Sequence, residues 1–201
     1  MAEGTTAASK SALRDRLKAA RRHVADDVRA TEARLLCEHL EHAVTSDNTV
    51  CAYVPVGAEP GSIEMLDVLL RRAGRVLLPV ARTSEDNTPV PLRWGQYRSG
   101  GLVTARWGLL EPPEPWLPES VLAEASLVLL PALAVDRRGV RLGRGQGFYD
   151  RSLAACDPRA RLVAVVRDEE FVDELPSEPH DVRMTHILTP RRGMIEVTWR
   201  F

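Results

Sequence analysis

Apolar and polar positions in this chain follow two periods, one helical and one extended. Leu13, Leu17, Ala20 and Val24 recur at helical spacing and put one apolar stripe on a helix beginning at Ser9. Asp26 and Asp27 offer a cap for a second helix, with Leu36, Leu40 and Val44 as its stripe. Ser46-Asp47-Asn48 breaks it, and Thr49 to Val54 reads as a first strand. A loop with Pro55, Gly57, Pro60 and Gly61 follows. Ser62 then caps a helix with Ile63, Leu66, Leu69, Leu70 and Ala73 on its buried side, ended by Gly74. Buried strands are predicted at Arg75–Val80, Leu127–Leu130 and Arg161–Val166, with late strands at His186–Thr189 and Met194–Thr198. A helix runs from Gly147 to about Cys156, and a short one over Asp168–Glu174.

Residues 82–120 break the pattern. Seven prolines lie from Pro79 to Pro118, so loops are expected there, with a short strand at Pro91–Trp94. Residues 1–8 are small and polar and read as a disordered end, leaving 9–201 as a single domain. Apolar strands alternating with helices predict an α/β fold: a largely parallel sheet covered on both faces. Ligands of such sheets gather beyond the carboxyl ends of the strands.

Composition narrows the partners. The 201 residues include 27 basic and 28 acidic ones, for a formal charge of −1. A protein whose main partner is nucleic acid usually carries a basic surplus, so that class is set aside. Three cysteines without CxxC spacing point away from a disulfide framework and toward a reducing compartment. No apolar run reaches the length of a membrane span, and MAEGTTAASK lacks an apolar signal core. A cytoplasmic protein is expected.

The densest chemistry lies in LVLLPALAVDRRGVRLGRGQGFYDR, residues 127–151. An apolar run ends at Pro131. A loop follows with Asp136, four arginines and Gly139, Gly143, Gly145 and Gly147, and Phe148-Tyr149-Asp150-Arg151 opens a helix. Glycines admit close approach of phosphate oxygens to backbone N–H groups, a helix start adds partial positive charge, and arginine supplies forked donors. This order reads as a phosphate cradle, with ATP as the ligand. It is not a P-loop, for GxxxxGK[ST] is absent, and Gly143-x-Gly145-x-Gly147 starts too far from its strand for a dinucleotide fingerprint. The competing reading is a solvated surface loop.

Lys10 and Arg14 stand four apart on one helix face, where a bound polyphosphate would offset the cost of cations near a helix start. A plain solvated pair is the alternative. Glu59, just past the first strand, can accept from a ligand's N–H groups. Asp150 and Asp181 can share Mg²⁺ with phosphate oxygens, since that ion often takes one or two protein carboxylates. Ordinary surface acids are the alternative for all three. His39 and His42 lack a third ligand nearby, and His180 and His186 form no motif. GxSxG is absent, so covalent hydrolase chemistry is unsupported. Trp94, Trp107, Trp116 and Trp199 can pack in a core or stack on a flat ligand.

Together these residues resemble the 5-formyltetrahydrofolate cyclo-ligase family, also called methenyltetrahydrofolate synthetase. The similarity covers about Lys10 to Thr189. Its core is Asp136 to Arg151, which matches D-x-x-G-x-R-L-G-x-G-x-G-Y-Y-D-R in order and composition. Lys10-x-x-x-Arg14, Glu59, Gly108-Leu-Leu-Glu111-Pro112 and Leu175-Pro176 through His180-Asp181 agree with it. The resemblance implies a three-layer α/β/α fold related to the sugar-phosphate isomerase and CoA-transferase group. It implies conversion of 5-formyltetrahydrofolate to 5,10-methenyltetrahydrofolate with ATP and Mg²⁺ and release of ADP and phosphate. A monomer is expected.

By position, the resemblance assigns Lys10 and Arg14 to the ATP phosphates. It wraps Arg141, Leu142, Gly143, Arg144, Gly145, Gln146, Gly147, Phe148 and Tyr149 around the triphosphate, and gives Mg²⁺ to Asp150 and Asp181. Val54, Glu59 and Tyr149 line the folate site, and Arg144 and Tyr149 are the candidate catalytic residues. The implied chemistry transfers the γ-phosphoryl to the formyl oxygen. N10 then attacks and phosphate leaves, so no protein nucleophile is required. Phe148 replaces the usual tyrosine, Gln146 a glycine or lysine, Thr185 an acid, and Glu59-Pro60-Gly61-Ser62 the commoner Glu-Val-Asp-Thr. The last change borders the folate site. It leaves open a relative acting on another N-acyl or carboxylate substrate, beside a binding protein without turnover and a phosphosugar- or CoA-handling enzyme.

Overall fold

The computed structural model describes residues 2–44, 48–105, 108–178 and 181–198, with side chains from Ser9 onward. Helix α1 spans Ala2–Arg22, so helical backbone begins upstream of Ser9, in a segment without proline. Helix α2 (Asp26–Ala43) starts with both aspartates in its first turn, where the helix dipole favours them. Strand β1 (Thr49–Cys51) leads through a loop to α3 (Ile63–Arg72) and β2 (Arg75–Val80). Four short strands follow: β3 (Arg93–Gln96), β4 (Val103–Thr104), β5 (Leu110–Glu111) and β6 (Trp116–Leu117). After a 3₁₀ helix over Glu119–Glu124 come β7 (Ala125–Pro131) and a hairpin of β8 (Ala134–Asp136) and β9 (Arg141–Leu142). The chain closes with α4 (Phe148–Ser152), β10 (Arg161–Val165), β11 (Phe171–Val172), β12 (His186–Thr189) and β13 (Gly193–Glu196).

Eight strands form the main sheet in the order β13-β12-β10-β7-β1-β2-β3-β6. The inner five, from β12 to β2, are parallel, and β13 and β3 join them antiparallel. Alternation along β7 divides the core. Leu127 and Leu129 face α2 and α3 through Leu36, Leu40, Leu66 and Leu69. Val128 and Leu130 face the opposite layer through Leu122 and Leu153. The α/β expectation holds, with helical cover on both sides. Successive strands run outward from β1 through β2 on one side and from β7 through β10 and β12 on the other. The order therefore reverses between β1 and β7, and a crevice opens at such a reversal beyond the carboxyl ends.

Several expectations shift. Strand β1 stops at Cys51, three residues short of Val54. Pro55 has no N–H to donate and biases its neighbour away from helical backbone, and Tyr53 and Val54 turn into the loop at the crevice. Asp168–Glu174 is a 3₁₀ turn of only three residues, Asp168–Glu170, running directly into β11. The helix after Gly147 is a single turn, continued by a 3₁₀ turn at Leu153–Ala155. The short strand expected at Pro91–Trp94 lies two residues later, because Pro91 has no ladder donor. Strand β13 ends at Glu196. The glycine-rich segment begins as a hairpin, and β11-β8-β9 form a second, three-stranded sheet. Leu13 and Leu17 of α1 pack on that sheet's cluster of Leu133, Ala134, Val140, Leu142 and Leu175. Among the described residues no helix is long and apolar enough to cross a membrane.

Candidate active site

A cleft of about 280 Å³ opens where the strand order reverses. The loop after β1 contributes Tyr53, Val54, Val56 and Glu59, and the end of β2 contributes Pro79, Ala81 and Arg82. Pro131 of β7 and residues 143–150 form the facing wall, joined by Arg141. Ala105, Leu109 and Leu110 supply an apolar flank.

The glycine loop leaves its backbone donors open. Gly145 and Gly147 sit at φ +95° and +70°, which side chains rarely tolerate. Among the described residues, the backbone N–H groups of 143–147 meet no acceptor. A Cβ on Gly145 would stand 3.4 Å from the Arg14 guanidinium. Gly147 precedes a helix of one turn, so free N–H groups and guanidinium charge supply the attraction here rather than a long dipole.

Charged side chains tie the walls together. Arg144 Nε lies 2.8 Å from Glu59 Oε1, and the other carboxylate oxygen accepts from the Val56 N–H at 2.9 Å. Arg141 donates to Asp150 Oδ1 at 2.8 Å and lies over the Tyr149 ring, while its buried Nε finds no acceptor among the described residues. Burial pushes the Tyr149 phenol pKa up, the Glu59 charge adds to this, and Arg141 opposes it. Burial also raises the Tyr53 phenol, whose hydroxyl donates to Pro60 O at 2.6 Å.

Helix α1 meets the glycine loop from behind the cleft. Arg14 Nε donates to Gly143 O at 3.0 Å. Lys10 is buried and donates to Glu178 at 3.0 Å and Asp181 at 2.9 Å. Burial acts to lower the lysine pKa, but the bonds to Asp181 and Glu178 outweigh it and hold the ammonium above its ordinary value. The Asp136 carboxylate, fully buried, explains how this side is held. Its Oδ1 accepts from the N–H groups of Arg138 (2.8 Å) and Val140 (2.9 Å), and Oδ2 from Leu175 N–H (3.0 Å). Gly139 completes the clasp: Met184 N–H donates to its carbonyl, and a Cβ there would sit 2.3 Å from Met184 O.

The structure thus brings Val54, Glu59, Arg141, Gly143, Arg144, Gly145, Gln146, Gly147, Phe148, Tyr149 and Asp150 to one cleft. Lys10, Arg14 and Asp181 lie on the α1 side of the loop. Leu142 points into the small core at 2% exposure, so only its backbone can face a ligand. Asp150 and Asp181 pair with different cations, Arg141 and Lys10. Among the described residues no cluster of three or more metal-ligating side chains occurs. Mg²⁺ commonly takes one or two carboxylates with phosphate oxygens, and both of these acids are engaged by a protein cation. Sequence reasoning missed Tyr53, Arg82 and the apolar flank. Arg82 pairs with Glu111 and stacks on Trp116, and only its place after a buried strand hinted at the crevice. Trp94 is core; Trp107, Trp199 and His180 lie outside the described residues.

Comparison with known proteins agrees with the geometry. A model of the 5-formyltetrahydrofolate cyclo-ligase family matches residues 6–190. The 5-formyltetrahydrofolate cyclo-ligase of Mycolicibacterium smegmatis is 57% identical over 187 residues, covering 93% of this chain and 96% of that one. The solved 5,10-methenyltetrahydrofolate synthetase of Aquifex aeolicus superposes with a TM-score of 0.72 at 20% identity, covering 96% of this chain and 94% of its own. That of Mycoplasma pneumoniae gives 0.65 at 18%, covering 89% and 96%. At those identities the two structures speak for the fold.

Proposed function

The chain belongs to the 5-formyltetrahydrofolate cyclo-ligase family, and from that premise we propose that it is the ATP-dependent enzyme converting 5-formyltetrahydrofolate to 5,10-methenyltetrahydrofolate, ADP and phosphate. One observation carries the reading. A loop with five backbone N–H groups that meet no acceptor among the described residues separates a cleft containing Glu59 from a helix face carrying Lys10 and Arg14. Two ligands can meet across such a partition.

In this reading Lys10, Arg14 and Arg141 hold the triphosphate, with the amides of 143–147 around its tail. Glu59 and Val54 receive the pterin, whose N–H groups suit a carboxylate acceptor. Asp150 and Asp181 would hold Mg²⁺, which would neutralise phosphate charge. Arg144 and Tyr149 stand where the formyl group meets the γ-phosphate and are the proposed catalytic residues. The formyl oxygen takes the phosphoryl group, N10 attacks the formyl carbon and loses its proton, and the C–O bond breaks to release phosphate. Aligned substrates and fixed positive charge are the main requirements of such a transfer. The working unit in this reading is a monomer of residues 9–201. Near-balanced charge supports small-molecule partners, and three free thiols support the cytoplasm. The experiment is direct: protein, ATP, Mg²⁺ and 5-formyltetrahydrofolate should generate the near-ultraviolet absorbance of the methenyl product. Nucleotide binding without that product would defeat the assignment.

A further inference from the structure

Arg82 stands on the cleft wall opposite the glycine loop, at the end of β2. Its guanidinium carbon lies over the Trp116 ring, 4.3 Å from the ring centre, and three hydrogen bonds orient the fork. A guanidinium has five N–H groups. Nη1 donates to Ala81 O at 2.9 Å and to Glu111 Oε2 at 2.9 Å, and Nη2 donates to Glu111 Oε1 at 2.7 Å. Glu111 therefore caps the end of the fork. The N–H of Nε and the second N–H of Nη2 remain, and among the described residues neither has an acceptor. These two groups are parallel and lie along one side of the plane, the geometry that grips a carboxylate through both oxygens.

The arginines of the cleft are paired, Arg82 with Glu111, Arg141 with Asp150 and Arg144 with Glu59, and Glu114 acts on Arg82 as well, so it is the open edge of the fork that favours an anionic guest. Leu109, Leu110 and Ala105 beside Arg82 are apolar. Glu111 fixes Arg82 without using its whole donor set. A ligand entering this cleft with an anionic end would find a preorganised partner here, at little entropic cost.

We propose that the free edge of Arg82 binds a carboxylate of the glutamate tail of the folate substrate, making Arg82 a specificity determinant for acidic tails. This rests on the reaction proposed above and names the group that reads the end of the substrate remote from the pterin. The phosphate groups of the nucleotide are the competing anions.

The test compares two substrates in one protein. Wild-type kcat/KM is measured with 5-formyltetrahydrofolate and with its analogue bearing both tail carboxyls as amides. The same pair is run on Arg82→Gln combined with Glu111→Gln, which replaces the ion pair by a neutral hydrogen-bonded one and leaves no buried charge behind. The wild type should prefer the acid by about tenfold or more. The double variant should treat the two alike, with KM for ATP unchanged. Because each ratio is taken within one protein, a loss of folded material cancels. A preserved preference in the variant overturns the proposal, as does equal use of both substrates by the wild type. A rise in KM for ATP alone would hand Arg82 to the nucleotide and equally overturn it. Failure of the wild type to turn over either compound removes the reaction itself, and this inference with it.

Discussion

Arg144 and Glu59 hold each other across the cleft, 2.8 Å apart, although one belongs to the proposed phosphate loop and the other to the proposed folate wall. The Arg144 side chain is half exposed, so the contact is worth only about 1 kcal/mol or less and can be opened by a ligand. A triphosphate that draws Arg144 away leaves the Glu59 carboxylate free for pterin donors. We predict that a non-hydrolysable ATP analogue tightens folate binding, read by titration calorimetry with and without nucleotide. In Arg144→Ala the folate should bind equally well in both cases. Persistence of the tightening in that variant would rule out the latch as its source.

Arg144→Ala also removes a charge-assisted donor from the loop. KM for ATP should rise about tenfold, the low end for such a bond because the side chain is partly in water. Steady-state rates over a range of ATP concentrations decide it. An unchanged ATP dependence would strip Arg144 of this role.

Glu59→Gln keeps the shape of the side chain and removes its charge. The amide can still accept from the Val56 N–H, now 2.9 Å from the carboxylate, so the loop should hold its course. KM for the folate should rise by about tenfold, and by more than KM for ATP. Equal changes in both constants would make Glu59 a structural residue.

Asp136→Asn separates two functions of one carboxylate. Oδ1 can still accept from Arg138 and Val140, but an amide NH₂ would face the Leu175 N–H where an oxygen now accepts. Two opposed donors in a buried site should cost about 1–3 kcal/mol. The segment beginning at Leu175 should loosen, and with it the acids Glu178 and Asp181 that hold Lys10. Thermal melting should show the stability loss, and KM for ATP should rise while KM for the folate stays put. A lower melting temperature with both KM values unaltered would leave Asp136 a purely architectural group.

The sequence made the parallel core legible because its strands are apolar on both faces. Arg75–Val80 was read to the residue, and Leu127–Leu130 and Arg161–Val166 nearly so. The glycines and arginines of the D-x-x-G-x-R-L-G segment marked it for a ligand-facing place, and its Arg141 and Gly143 line the cleft. Its hairpin was not legible. The turn itself is local, closed by the Arg138 and Val140 N–H groups on Asp136 and by Gly139 at φ +74°, but the bond from Leu175 that anchors it, 39 residues away, leaves no mark on any local period. Arg82 escaped for a related reason. Its neighbours Glu111 and Trp116 reach it through antiparallel edge strands of two to four residues in a proline-rich stretch, too short to carry a pattern. The ion pair of Lys10 with Asp181 joins the two ends of the chain and follows from topology alone.

Tyr149 gives the pH dependence. Burial, then the nearby Glu59 carboxylate, raises its phenol pKa above the ordinary value of 10.0, against the opposing Arg141. An acid whose folded pKa is raised stays protonated in the native state where the unfolded chain already ionises. Its contribution to stability is thus complete below the unfolded value, near pH 10, and is lost as pH climbs from there toward the folded pKa. Tyr53, raised by burial as well, acts in the same direction. Urea midpoints should therefore fall with rising pH above about 10, and less steeply in Tyr149→Phe, which cannot ionise at that position. Below that pH the phenol keeps its proton, so it should add no alkaline inflection to the kcat/KM profile. The same substitution should lower kcat if the hydroxyl touches the reacting formyl group, while leaving the shape of the profile intact. Equal alkaline slopes in the two proteins would show that the Tyr149 hydroxyl is in contact with water and that its burial exerts no such hold.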